Sequence, residues 1–408
     1  RSLGSLACRG SSLTYRQRGA LVNVLKAWGV ALALALGPVG LAADGKGVTI
    51  DAKDAPVADV MKLLAAQGAP TIAVHPDLAT QKITFAAKAI PGSAALRWLC
   101  RTCNLVVFAG RDDRLLIARP EAEPVVEKEY NVAKLVTTQE QDDALVNFIK
   151  KVLFGIHPIR GKGEDGATLP AFEAVIERGK LKVAATAIVH REVLALLRAM
   201  GKVQPKRSME DLFVSYAPYE VGFLGIRSLG AAPKSVGEVT VDVSGVSPAE
   251  AAWALTSAAK VSFYVDPWDK ALNEIKVTLK AEKRPLADVA NELGDQLRAE
   301  RCWYDEAWLF VRSERRPLFE SFEARVYNIE GAGPVRRMLA QAGRDAARGP
   351  WAASSGLPFA IEHADDLLLI AGPAAWHEAA QNFVKNGPDW DRERRPNGPR
   401  GKGGRMGR

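Results

Sequence analysis

Cysteine and histidine are scarce in this chain, 4 and 5 among 408 residues. Five scattered histidines and so few thiols form no cluster at metal-ligand spacing. His377-Glu378 lacks the second histidine of a zinc-protease helix, because Gln381 stands where it would be. No G-x-S-x-G nucleophile elbow, P-loop or strand-borne dinucleotide fingerprint is present. Gly161–Gly166 is glycine-rich enough to approach a phosphate, but Glu164 and Asp165 would repel one, so it reads as a solvated loop. Charge of one sign is also missing from the body of the chain. Residues 1–43 carry Arg1, Arg9, Arg16, Arg18 and Lys26 with no acid, and residues 389–408 carry seven Arg and Lys against Asp389, Asp391 and Glu393. The net +8 therefore sits at the two ends. A neutral body argues against a folded nucleic-acid surface.

What is present is an ordinary globular composition, 48% hydrophobic and 25% charged. The one long apolar run, Ala27–Ala43, follows Arg16, Arg18 and Lys26 and ends in small residues. That is the pattern of a secretory leader over 1–43. An exported chain meets an oxidising compartment, so Cys100 and Cys103 are a candidate disulfide. Their C-x-x-C spacing falls late in an expected helix, whereas redox-active pairs sit at a helix start. They read as structural thiols or an incidental bridge.

The sequence says nearly the same thing twice. "VTIDA" at Val48 returns as "VTVDV" at Val239, "KITF" at Lys82 as "KVTL" at Lys276, and "LLIAR" at Leu115 as "LFVRS" at Leu309. "YNV" at Tyr130 returns as "YNI" at Tyr327, and "VHRE" at Val189 as "WHEA" at Trp376. The order is preserved throughout, which predicts a duplication of about 160 residues. Each copy alternates strand-period and helix-period stretches, so the fold class expected is α+β, with a β-α-β-β-α-β-β module followed by a β-α-β-β-α module. Helices are expected over Val57–Gln67, after Pro91 to about Cys103, and behind a capping box at Thr137-Thr138-Gln139-Glu140.

The long first motif, "VTIDAKDAPVADVMKLLAAQGAPTIAVHPDL…KITFAAKAIPGSAALRWLC", resembles the short domain at the N-terminus of secretins and TonB-dependent receptors. The stretches after it resemble the β-α-β-β-α periplasmic modules of secretins. The resemblance runs over most of residues 48–387 and rests on patterns of apolar positions. The β-rich pore of secretins and the plug and barrel of the receptors have no counterpart in these 408 residues. The expected organisation is a leader (1–43), a first short module (48–120), a secretin-like module (125–202), a linker (203–236), second copies at 238–313 and 320–387, and a basic tail (388–408).

What the resemblance implies is an exported, non-catalytic periplasmic protein that docks partners or packs against copies of itself, accessory to envelope secretion or transport. No cofactor is expected. The expected partners are envelope proteins, with self-association open. Trp351, in the predicted loop "ARGPWAASSG", is a candidate anchor for such a partner, since aromatic residues concentrate in interface hot spots. His190 and His377 match between copies and read as surface or helix-start residues. A second reading gives the basic tail the leading role, as a contact for an anionic polymer: cell wall, membrane surface or nucleic acid.

Overall fold

A computed structural model describes residues 47–69, 71–109, 114–154, 172–203, 213–216, 232, 237–316, 319, 322–329 and 360–386. The expected leader, the 155–166 loop, Trp351 and the basic tail lie outside the described residues, as does most of the expected linker. The class is α+β.

β1 (Val48–Pro56) alternates buried Val48, Ile50 and Ala52 with exposed residues, the period of a strand with one face on a core. α1 (Val57–Ala66) buries Val57, Val60, Met61 and Leu64, a stripe at helical spacing. β2 (Ala73–Val74) and β3 (Lys82–Ile90) follow. α2 (Gly92–Thr102) starts directly after Pro91, as expected, with Pro91 at the N-cap and Cys103 at the C-cap. β4 (Val106–Ala109) and β5 (Leu115–Ala118) close the module. β1 pairs antiparallel with β3, and a second sheet runs β2-β5-β4.

β6 (Val126–Asn131), α3 (Gln139–Phe148), β7 (Glu173–Glu177), β8 (Lys180–Ala185) and α4 (Ala187–Lys202) make the next module, with sheet order β6-β8-β7. The N-cap of α3 is Thr138, one residue beyond the Thr137 expected, and the reciprocal bond reaches the residue before the cap instead of closing a capping box. Thr138 accepts from the Gln141 N–H at 3.2 Å, while Gln141 Oε1 accepts from the Thr137 N–H at 2.8 Å. Gln141, not Glu140, stands three residues past the cap. Arg178 and Gly179 both hold positive φ, 53° and 73°, between paired Glu177 and Lys180. This is the two-residue turn that matches strand twist.

Within 203–236, expected as a linker, β9 (Phe213–Tyr216) forms a strand. β10 (Glu238–Val246), α5 (Pro248–Ala258), β11 (Phe263–Val265), the short α6 (Lys270–Asn273), β12 (Val277–Pro285), α7 (Leu286–Leu297), β13 (Glu300–Tyr304) and β14 (Ala307–Val311) follow. The last described elements are β15 (Phe322–Asn328), β16 (Ala360–Ala364), β17 (Leu367–Pro373) and α8 (Ala374–Asn386). β9 adds to the edge of β15, giving the sheet order β16-β17-β15-β9.

The β1–β3 ladder and the β10–β12 ladder have the same register. Asp51 faces Ala86 and Ala52 faces Phe85, as Asp242 faces Lys280 and Val243 faces Leu279. The ladders are interrupted at the same two places. Positive φ recurs there too, at Asp54 and Gly245 and at Ala89 and Lys283. The following hairpins differ. Four residues separate Trp303 from its partner Trp308, but five separate Ala109 from Leu115, and this places Leu116, not Leu115, at the position of Leu309.

The chain divides into two compact units that interleave in sequence. One joins Arg1–Pro124 with Glu220–Val311, and the other joins Val125–Tyr219 with Arg312–Arg408. Each unit thus holds one stretch from each half of the chain.

Candidate functional site

The chemistry-bearing side chains of the first unit gather where its two halves meet. α2 presents Arg97, Trp98 and Arg101 on one face. The β13–β14 turn presents Asp305 and Glu306, both at positive φ, 46° and 63°. Two successive left-handed residues make a tight hairpin, and the aspartate at its tip is a residue such turns favour. Asp305 is fully buried and forms ion pairs with both Arg97 and Arg101. Arg97 Nε donates to it at 2.9 Å, and the Trp98 indole N–H donates to its backbone carbonyl at 2.8 Å. Burial alone would raise the Asp305 carboxyl, but the two guanidiniums outweigh it and hold the carboxyl below the usual range. Arg101 is likewise desolvated, yet Asp305 keeps it firmly protonated. A buried charge without such partners would cost several kcal/mol.

Aromatic packing surrounds this cluster. Trp98 stacks on Tyr264 of β11 at 4.2 Å between centroids and meets Tyr304 edge-on at 6.0 Å. The Tyr264 O–H donates to the Ala86 carbonyl of β3 at 2.8 Å, and Ser262 Oγ accepts from the Lys88 N–H at 2.8 Å. At the edge of the contact Ser257 donates to Asp51 and Lys53 sits over the Trp253 ring. This geometry fixes one module against the other through directional bonds around an apolar centre.

The second unit carries two copies of a different cluster. His190 on α4 and His377 on α8 are buried, at 1% and 0% exposure, so of the two places expected from sequence, surface or helix start, they take the helix start. Both sit in the first turn of their helix, where burial against the strand opposite gives them fixed partners. His190 Nδ1 lies 2.8 Å from the Tyr130 hydroxyl and Nε2 2.8 Å from the Val126 carbonyl. His377 makes the same pair of bonds, to the Tyr327 hydroxyl at 2.9 Å and the Glu323 carbonyl at 3.1 Å. A carbonyl can only accept, so Nε2 carries the proton, and Nδ1 accepts from the tyrosine. Each imidazole is therefore neutral with a defined tautomer. Burial lowers the pKa of both, that of His377 to about 4. Burial also pushes Tyr130 up to about 12 and raises Tyr327. The result in each module is a bolt from the last helix to the first strand.

The halves also meet in this unit. Thr138, at the start of α3, donates to Asp365 at 3.1 Å, and Lys151 pairs with the largely buried Glu362 at 2.5 Å. α3 lies on β16 and β17.

Cys100 and Cys103 are both free thiols, on the last turn of α2 and at its C-cap. Burial pushes Cys100 up to about 12 and raises Cys103 as well. A protonated, desolvated thiol is a poor nucleophile. Among the described residues no group of histidine, cysteine and carboxylate side chains is placed to hold a metal ion. Among the same residues no helix is long and apolar enough to cross a membrane. Neither the Asp305 cluster nor the Tyr–His bolts were expected. The second had a signal, since tyrosine and histidine recur together in the matched "YNV…VHRE" and "YNI…WHEA" phrases. A scan against protein-family models and a search of curated proteins both return no match for this chain.

Proposed function

We propose that this chain is an exported, non-catalytic interaction scaffold of the cell envelope, built from duplicated modules related to the N-terminal domains of secretins and TonB-dependent receptors. One observation carries the reading. Asp305, Arg101, His190 and His377, ionisable groups whose surroundings shift them from their ordinary values, are each committed to joining one element to another. Perturbed groups of an enzyme converge on a cleft where substrate can reach them. Here they support rigidity, which suits a protein that presents surfaces. The shared register of β1–β3 and β10–β12 supports the duplication. Exposed apolar side chains at Leu63, Val126 and Val175 are places for a partner to touch.

The test is photo-crosslinking in cells from positions 63, 126 and 175, in the full chain and in a variant lacking 389–408. A defined envelope protein captured with and without the tail supports the scaffold. Capture that disappears with the tail, together with salt-sensitive binding to an anionic polymer, transfers the function to the tail.

A further inference from the structure

The contact within the first unit joins unlike faces of similar modules. The second-half module brings α5, β11 and the Tyr304–Glu306 turn. The first-half module brings β1, β3 and α2. A contact of this head-to-tail kind leaves one copy of each face unused, and it extends into rings or fibres unless something stops it.

The shared ladder register shows what stands on the unused faces. It equates residues 48–74 with 239–265 and residues 82–102 with 276–296. Trp253 and Tyr264, which anchor the contact, are matched on the first module by Lys62 and Ala73, both exposed. Ala254 is 9% exposed within the contact, and its match Leu63 is 47% exposed. The opposite face has changed as much. Arg97, Trp98 and Arg101 are matched by Asn291, Glu292 and Asp295. Ala86, outward-facing on β3 yet only 3% exposed because it is covered, is matched by exposed Lys280. The aromatic anchor is gone, and two cations that receive Asp305 are replaced by an amide and a carboxylate.

We infer that this head-to-tail contact terminates itself: it closes once within the chain, and neither vacant face accepts a second copy of the same chain. Any self-association of the protein then uses other surfaces.

Light scattering on the full chain over a wide concentration range gives the first test, with a monomer mass expected throughout. Association of the wild type that Lys62→Glu or Asp295→Arg abolishes overturns the inference. The second test rebuilds the faces. One variant carries Lys62→Trp and Ala73→Tyr, with residues 110–114 replaced by the sequence Tyr-Asp-Glu-Ala. The other carries Asn291→Arg, Glu292→Trp and Asp295→Arg. Each is expected to remain monomeric alone and to double its mass when the two are mixed. Circular dichroism and a cooperative unfolding transition establish that both are folded. Folded variants that stay monomeric on mixing overturn the inference, and the wild-type measurement decides it if either variant fails to fold.

Discussion

Acidification should loosen the second unit through His377. Its Nε2–H donates to the Glu323 carbonyl and its Nδ1 accepts from the Tyr327 hydroxyl. Both nitrogens are committed to the neutral ring, so a second proton has to break the bond from Tyr327. Burial, reinforced by neighbouring Arg325, outweighs the Glu323 carbonyl and carboxylate and moves the pKa from 6.5 to about 4. Between those values the unfolded chain holds a proton that the folded chain excludes. The contribution is therefore whole above pH 6.5 and is lost as the pH falls toward 4. Linkage sets the loss at about 2 kcal/mol near pH 5 and about 3 kcal/mol at the acid limit. The assay is urea unfolding of the full chain and of His377→Gln near neutrality and near about pH 5. Glutamine keeps a donor and an acceptor but does not titrate in this range. The wild type should lose about 2 kcal/mol more than the variant on acidification. Equal losses would refute the reasoning, because every other titrating group is common to both proteins. His190, lowered by burial and by Lys128, shifts stability in the same direction, so the double glutamine variant should have the flattest profile.

Removing the acid from the first unit should be severe. Asp305→Ala strands Arg101, whose side chain is 5% exposed, and should cost about 3–5 kcal/mol in denaturant unfolding. Trp98→Ala should cost a similar amount, about 3–5 kcal/mol, and the two losses should be less than additive because both side chains act on the same turn. Cys100 and Cys103, both half-buried, should react with thiol reagents more slowly than an exposed cysteine, with labelling rates that rise as urea unfolds the protein. Gly372→Ala places a methyl 2.4 Å from the Trp376 ring. It should destabilise by about 1–3 kcal/mol and shift the tryptophan emission.

Much of the element order was legible from periodicity alone. Val57, Val60, Met61 and Leu64 mark α1, and the alternation from Val48 marks β1, because each element has one face on a core. The capping signal of α3 was visible but misplaced by one residue, since Thr137 and Thr138 are both competent caps and only the position of Gln141 separates them. β9 was hidden because four residues gain strand geometry only from the β15 edge beside them. The burial of the two histidines was hidden for a related reason. A helix-start histidine looks solvated until the strand opposite supplies a tyrosine and a free carbonyl. Asp305 was the least visible of all, since a charged residue in a tight turn reads as surface unless its two guanidinium partners, some 200 residues earlier, are known to lie over it.

Where the two halves differ is more informative than where they agree. The outer face of the β6-β8-β7 sheet carries Glu129 and Glu177 paired with Lys180 and Lys182, as suits water. In the β16-β17-β15-β9 sheet, Ala324, Val326, Leu369 and Ala371, on the opposite face from Tyr327 and Leu368, are buried, and α3 from the first half lies on β16 and β17. The first unit shows the same division, with Trp253 and Tyr264 covered and their matches Lys62 and Ala73 in water. At these positions the large apolar side chains lie where a partner covers them, and charge lies where none does, Leu63 and Val175 excepted. In the second unit the second half supplies the covered apolar face and the first half the solvated version, whereas in the first unit each half supplies one covered face, Tyr264 from the second and Trp98 and Ala86 from the first. Under the proposed duplication, the differences at matched positions follow which face the internal contact covers, and charge stands where water reaches.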